Sequence, residues 1–378
     1  MWSSTQKMLT TAINYFDSRL FKKSSSNNIQ MDSLDGLRGI AVLFVLFGHL
    51  SDNGINLAPF LDFSMTGKYG VILFFVLSSF LLTIPFINKS DINLGSRILW
   101  LKYTQRRILR IYPLYAVALL FACGLTAIDR GDLYVANITK LDVLSHLFLM
   151  EGRAFFWTIP VETKYYFILP LVIFVFIKIA RKNLIVIALI TLVAIIGNEI
   201  FYRIINNSIL MLPYLPAFFI GSMFAVVHVK SLKKENHGDR LKLILECVSI
   251  FSFVLILISI PSIWNKLLYF PDNIRFGRYQ WLMGFLWAIF TTSHLHGHGI
   301  IRQVMSHKIL RLIGITSFSL YIWHMLVLNI INEYIIANPP IKVLLIVTIS
   351  IFISTLSYLY IERPFLSIKL GQRSRNNP

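Results

Sequence analysis

The sequence predicts an all-α fold: a polytopic integral membrane helical bundle of about ten transmembrane helices, with both termini cytoplasmic. Three observations predict it. Apolar residues make up 56% of the 378-residue chain and mean hydropathy is +0.67. Only 14% of residues are charged, against about 25% in a soluble domain, so most of the chain must face lipid or other apolar helices. Lysine and arginine fall in alternate connections, the pattern that fixes membrane orientation.

A hydrocarbon core of ~30 Å takes about twenty mostly apolar helical residues. The spans that approach this length are 36–52, 69–87, 111–128, 156–177, 184–201, 209–229, 243–263, 279–296, 312–332 and 341–361. With the N-terminus inside, and Arg38 and Lys342 counted with the connections they adjoin, 26 of the 36 Lys and Arg fall in inside segments and 9 in outside loops. An odd number of crossings would destroy that alternation, so the same count argues for an even number. Three regions are expected: a cytoplasmic lead at 1–33, a transmembrane domain at 34–365 and a cytoplasmic tail at 366–378.

The net charge of +18 would suit nucleic acid, but no basic segment is interleaved with exposed aromatics. Anionic lipid headgroups account for it, and no nucleic-acid partner is expected. Cys123 and Cys247 lie in apolar runs and give neither a disulfide framework nor a metal spacing. The polar start, with Lys22, Lys23 and a Ser/Asn run, lacks the apolar core and cleavage site of a signal peptide. A surface-lying amphipathic stretch is expected around Met8 to Phe21. No internal repeat at a fixed period is visible.

Ionisable groups inside a span are costly unless paired or hydrated, so each is a functional candidate. Arg38 and His49 lie eleven residues apart in the first span, ~16 Å of helix rise. Arg38 therefore sits at the membrane edge and His49 well within it, as a structural group or a proton-transfer group. Arg106, Arg107 and Arg110 enter the third span as a compact set of planar donors, suited to phosphate or to topological anchoring. The fourth span carries Glu162 close to Lys164, either as an interfacial pair or as a carboxylate able to polarise a histidine. In the ninth, Ser317, Tyr321 and His324 share one helical face.

Six stretches together resemble the acyltransferase-3 family of membrane O-acyltransferases. They are Leu34 to His49, Leu73 to Leu82 (with FFVLSSFLL), Arg106 to Pro113, Trp157 to Pro170, Ser317 to His324, and Tyr360 to Phe365 (YIERPF), in the family's order. The resemblance implies acetyl-CoA as donor at the cytoplasmic face and a hydroxyl acceptor from the other side. The acceptor would be a sugar of a cell-surface polysaccharide, such as lipopolysaccharide, or of a lipid-linked glycan, in the cell inner membrane. By that likeness His49 would be the general base or acyl relay, and Arg38 would position the donor. Arg106, Arg107 and Arg110 would hold CoA phosphates, Glu162 would orient the acceptor or tune the histidine, and Tyr321 and His324 would assist. Two positions depart from the family pattern: Ser79 stands where glycine is common, and Ile72 where a charged residue often precedes FFV.

No metal is expected. His294, His296 and His298 alternate, as zinc ligands can, but sit at a span end without a neighbouring carboxylate in sequence. Asp35 reads as a helix N-terminal residue, and Glu362 and Arg363 as closure of the final helix. The chemistry of acyl transfer needs proton removal from an alcohol, oxyanion stabilisation and a grip on phosphates, which these residues can supply. Direct transfer and a covalent acyl-enzyme stay open. The competing classes are a proton-coupled transporter or flippase, using His49, Glu162 and His324 as a relay, and a structural membrane subunit.

Overall fold

The computed structural model describes residues 29–58, 60–89, 92–134, 137–204, 211–232, 238–263, 280–297 and 299–368. The expected amphipathic stretch at Met8 to Phe21, most of the lead and the tail from 369 lie outside them. Among the described residues every regular element is helical. In chain order these are α1 (Ile29–Asp52), α2 (Gly67–Asn88), α3 (Arg97–Ala127), α4 (Lys140–Leu147), α5 (Thr158–Phe174), α6 (Leu184–Ile204) and α7 (Leu215–Leu232). They continue as α8 (Asp239–Ile258), α9 (Gln280–His296), α10 (Ile300–Met305), α11 (Lys308–Ile315), α12 (Ser317–Tyr334), α13 (Pro339–Ser357) and α14 (Arg363–Leu366). The protein is a multi-pass membrane bundle.

Eight helical segments among the described residues are long and apolar enough to cross a bilayer, or nine if the bent pair α11 and α12 forms one span. The expected span at 279–296 is the 17-residue α9, ~26 Å long. The expected straight span at 312–332 is instead broken, with α11 and α12 meeting at 80°. Its cause is local. Gly314 packs so tightly on α1 that a Cβ there would meet the Asp35 carbonyl oxygen at 1.7 Å, and Thr316 turns its hydroxyl back on Leu312 O at 2.9 Å. α3 also departs from expectation, running back to Arg97 where a connection was expected. Ser96 accepts from Leu99 N, and neither glycine nor proline interrupts the next fifteen residues.

The layers follow from burial. α2 has 78% of its most apolar window buried inside the protein and the segment around α7 has 72%, so these form the centre. α6 (17%), α8 (22%) and α13 (28%) turn most of their side chains outward to lipid. Hydroxyls bind the central helices: Thr83 donates to Ser222 at 3.0 Å and Tyr165 meets Ser222 at 2.7 Å, joining α2, α5 and α7. Small residues bring α1 against its neighbours. A Cβ at Gly36 would meet Met305 O at 1.7 Å, one at Gly39 would meet Leu310 O at 2.4 Å, and one at Gly70 would meet Ala41 O at 2.2 Å. Through these contacts α1 carries Arg38 and His49 along the interior of the bundle.

Candidate functional site

α1 presents its two marked residues to two adjoining cavities. Towards its start lies an inner pocket of about 60 Å³, lined by Arg38, Ser78, Arg110, Thr158, Glu162 and Ser317 among apolar walls. Towards its end lies a vestibule of about 860 Å³ that includes His49, Asp52, Trp157 and Tyr214. Val71 and Tyr321 are walls of both. The two chambers therefore adjoin, with Val71 and Tyr321 between the part lined by Arg38 and the part lined by His49.

In the inner pocket neither Arg38 nor Arg110 makes an ion pair or hydrogen bond among the described residues, although Asp35, Glu162 and Glu362 are within electrostatic reach. Two guanidiniums held open beside a cavity are ready for an anion. The break before α12 adds to this. It puts the start of an 18-residue helix, Ser317 and Phe318, in the pocket wall, where the positive end of the helix dipole favours negative charge. Glu162 stands opposite. Its Oε1 accepts from Ser78 Oγ at 2.5 Å and from Tyr166 OH at 2.6 Å.

The vestibule is built around His49, whose side chain is 32% exposed. Its Nδ1 lies 3.8 Å from Asp52 Oδ2, one turn on, while Asp52 Oδ1 accepts from Met65 N at 3.0 Å. The carboxylate so placed favours the tautomer with hydrogen on Nδ1, leaving Nε2 as acceptor. Beside Nε2 there is a glycine: a Cβ at Gly67 would stand 3.9 Å away. His324 is fully buried and stacks on His49 with ring centroids 5.3 Å apart. Its Nδ1 lies 2.7 Å from Tyr321 O, and its Nε2 has no partner. Tyr321 donates to Phe155 O at 2.6 Å and accepts from Thr158 at 3.0 Å, which fixes the shared wall.

The far rim is held by the segment after α3 and the one before α5. Tyr134 stacks on Trp323 at 5.7 Å and bonds Ile322 O, while Asn329 donates to Leu133 O at 3.1 Å. Arg130 pairs with Glu333 at 2.7 Å and bonds Tyr334. Met65 and Ala154, both on the vestibule wall, have φ of 68° and 45°, conformations that cost L-residues energy and recur at functional sites. Before α5, Asp142 accepts from Thr139 N at 2.8 Å and from Arg153 at 2.7 Å. The Thr139 backbone and hydroxyl bonds, with Arg153, hold the Asp142 carboxyl below its ordinary value.

The sequence-derived candidates are thus divided. Arg38, Arg110, Glu162 and Tyr321 share the inner pocket; His49 and Tyr321 share the vestibule, and His324 lies beneath His49. Arg107 stands behind Tyr166, 5.8 Å from its ring centroid, in a separate small cleft, with Nε buried and unpartnered. Arg106 is exposed and lines none of the three cavities. Glu162 is bonded to hydroxyls rather than to a histidine, and His49 and His324 stack without a hydrogen bond. No hydrogen-bonded chain joins His49, His324 and Glu162 among the described residues. Asp52 and Ser78 were not singled out from the sequence; Asp52 was signalled by its spacing of three from His49, and Ser78 by lying within FFVLSSFLL. Of the alternating histidines, His294 is 3.0 Å from Phe290 O and 3.3 Å from Ser33 Oγ, and His296 is 3.0 Å from His228; His298 lies outside the described residues. A carboxylate does lie near them, Glu246, which accepts from Gly299 N and Ile301 N. No three His, Cys, Asp or Glu side chains converge on a metal position among the described residues.

A bundle with an open arginine pair at one depth and an imidazole-lined chamber at the other belongs to the class of multi-pass membrane proteins with a buried polar site. The family model described as "Acyltransferase domain", the acyltransferase-3 model, matches residues 31–359. The chain belongs to this acyltransferase family. It is 24% identical over 379 residues to "O-acetyltransferase OatA" of Staphylococcus aureus (strain NCTC 8325 / PS 47), covering 91% of this chain and 60% of that protein. The protein of the same name from Staphylococcus aureus (strain COL) shows the same figures. The chain spans about three fifths of the length of the curated relatives it matches. No solved structure matches it.

Proposed function

We propose that the protein is a membrane O-acyltransferase that moves an acyl group, acetyl, from cytoplasmic acetyl-CoA to a sugar hydroxyl of a cell-surface polysaccharide or lipid-linked glycan. It would work in the inner membrane with both termini cytoplasmic. One observation carries the reading: the pocket of unpaired Arg38 and Arg110 and the vestibule of His49 share Val71 and Tyr321 as walls. The donor's phosphates sit on the two guanidiniums and the start of α12, and its thioester arm reaches through the shared wall to His49. The acceptor enters the vestibule, where Trp157 and Tyr214, 4.6 Å apart between centroids, offer an aromatic ledge for a sugar ring.

The chemistry is one proton transfer and one exchange of bonds. His49 Nε2 takes the hydroxyl proton, with Asp52 beside Nδ1 stabilising the imidazolium. The oxygen attacks the thioester carbonyl, the carbon–sulfur bond breaks, and the leaving thiolate takes the proton from His49. A relay through His49, His324 and Glu162 is less well supported, because these groups are not hydrogen-bonded in series. The test is purified protein in lipid nanodiscs with acetyl-CoA and a glycan acceptor, read as free CoA released and acetyl ester formed. Release that stops in His49→Ala supports the enzyme, whereas proton-driven uptake without CoA turnover would establish a carrier instead.

A further inference from the structure

Glu162 was expected near the acceptor or the histidine, yet it lines the inner pocket with the two open arginines. Both of its hydrogen bonds, from Ser78 and Tyr166, end on Oε1. Among the described residues Oε2 has neither a hydrogen bond nor an ion pair, and it is not among the sealed polar atoms of the interior. It is an acceptor open to the cavity. Tyr166 OH and Ser78 Oγ come from different helices, α5 and α2, and fix the carboxylate plane from two sides. The remaining walls are largely apolar: Val71, Phe74, Phe75, Ile111, Ile159 and Phe318.

A free carboxylate oxygen beside two open guanidiniums offers an accepting site to an N–H or O–H donor on whatever anion-bearing molecule the pocket takes. The pocket is small, about 60 Å³, so the donor belongs to a slender part of the molecule. It must lie just beyond an anionic group, because Arg38 and Arg110 stand in the same pocket. Resting on the acyl-CoA reading above, we propose that Glu162 Oε2 accepts the N–H of the pantetheine amide nearer the phosphates, so that Glu162 is a positioning residue for the donor arm. The arm is then held at three points: phosphates at Arg38 and Arg110, amide at Glu162, and thioester beyond Val71 and Tyr321 at His49. Eleven residues of α1 separate Arg38 from His49, ~16 Å, so a second fixed point on the arm, besides its phosphates, limits how far the thioester can wander in the wider vestibule.

Equilibrium binding of three stable ligands tests this without any acceptor: CoA, pantetheine and N-acetylcysteamine, which loses in turn the phosphates and then the amide nearer them. Glu162→Gln keeps an oxygen for Ser78 and Tyr166 but turns a donor N–H₂ towards the arm. We expect it to weaken CoA and pantetheine alike by about ten- to a hundredfold, the worth of a hydrogen bond to a charged group, while N-acetylcysteamine is unchanged. Arg110→Ala should erase only the advantage of CoA over pantetheine. Ser78→Ala, which frees the carboxylate plane, should repeat the Glu162→Gln pattern at smaller size should the Gln variant prove unstable. Equal affinity of wild type and both variants for pantetheine overturns the proposal and leaves the acyl-CoA reading standing. Equal loss for all three ligands overturns it too, by making Glu162 a structural group. Failure of the wild type to bind CoA at all removes both.

Discussion

At the scale of single residues, the division of labour between two imidazoles and two guanidiniums makes separable predictions. His49 is one-third exposed to the vestibule; His49→Ala should lower the rate of acyl transfer by ~10²–10⁴-fold, the usual worth of a positioned general base, with little change in thermal unfolding. His324 is different. It is wholly buried, anchored to Tyr321 O and stacked on His49, so His324→Ala should lose both activity and about 2–4 kcal/mol of stability, by cavity formation. Comparison of melting temperature with rate for the two variants checks this. For Arg110→Ala the account predicts a donor KM raised ~10- to 100-fold with kcat less affected, since a charge-assisted contact to phosphate is lost far from the reacting atoms. Steady-state kinetics with varied acetyl-CoA decide it. The individual candidates were legible because an ionisable side chain in an apolar run is conspicuous. Their partners were not. Ser78 and Asp52 are ordinary polar residues whose meaning depends on which helix lies opposite.

At the scale of elements, the site depends on close helix crossings and on one broken helix. Gly314→Ala would drive a methyl group into the Asp35 carbonyl, prying α11 from α1 three residues from Arg38; we expect a loss of ~1–3 kcal/mol and weakened donor binding. Gly124 in α3 has nothing within 4 Å of its would-be Cβ, so Gly124→Ala should be neutral or stabilise by ~0.5–1 kcal/mol through lower chain entropy. Thermal unfolding of the pair in one detergent separates packing from propensity. The segment before α5 makes a pH prediction. Asp142's carboxyl is held below its ordinary value of 3.8, so its contribution is complete above 3.8, declines as pH falls below it, and is gone under the folded value. Acid titration of loop order, read by fluorescence of the nearby Trp157, should show that limb in wild type and not in Asp142→Asn. Helix existence could be read from apolar length, and eight of the ten expected spans correspond to long apolar segments. The break at Thr316 could not, since the run stays apolar through it and the cause, α1 pressed against Gly314, is tertiary.

At the scale of the whole molecule, the positions of Arg38 and His49 on one helix convert a sequence interval into a depth difference. The asymmetry of Lys and Arg along the chain leads us to expect the arginine pocket on the cytoplasmic side. What the sequence could not reveal is that the two cavities share walls, because Val71 and Tyr321 belong to helices far apart in the chain. The relatives named O-acetyltransferase extend well beyond the part matched here, so transfer to an acceptor by this membrane portion itself is the claim with most at stake. Proteoliposomes of uniform orientation test it most directly, with acetyl-CoA supplied to one face and a sugar acceptor to the other, and acetyl ester measured on the acceptor. The account predicts ester only when acetyl-CoA is on the face of Arg38 and Arg110 and the acceptor on the face of His49, and none in His49→Ala. Ester formed equally with both substrates on one face, or from either face alike, would contradict it.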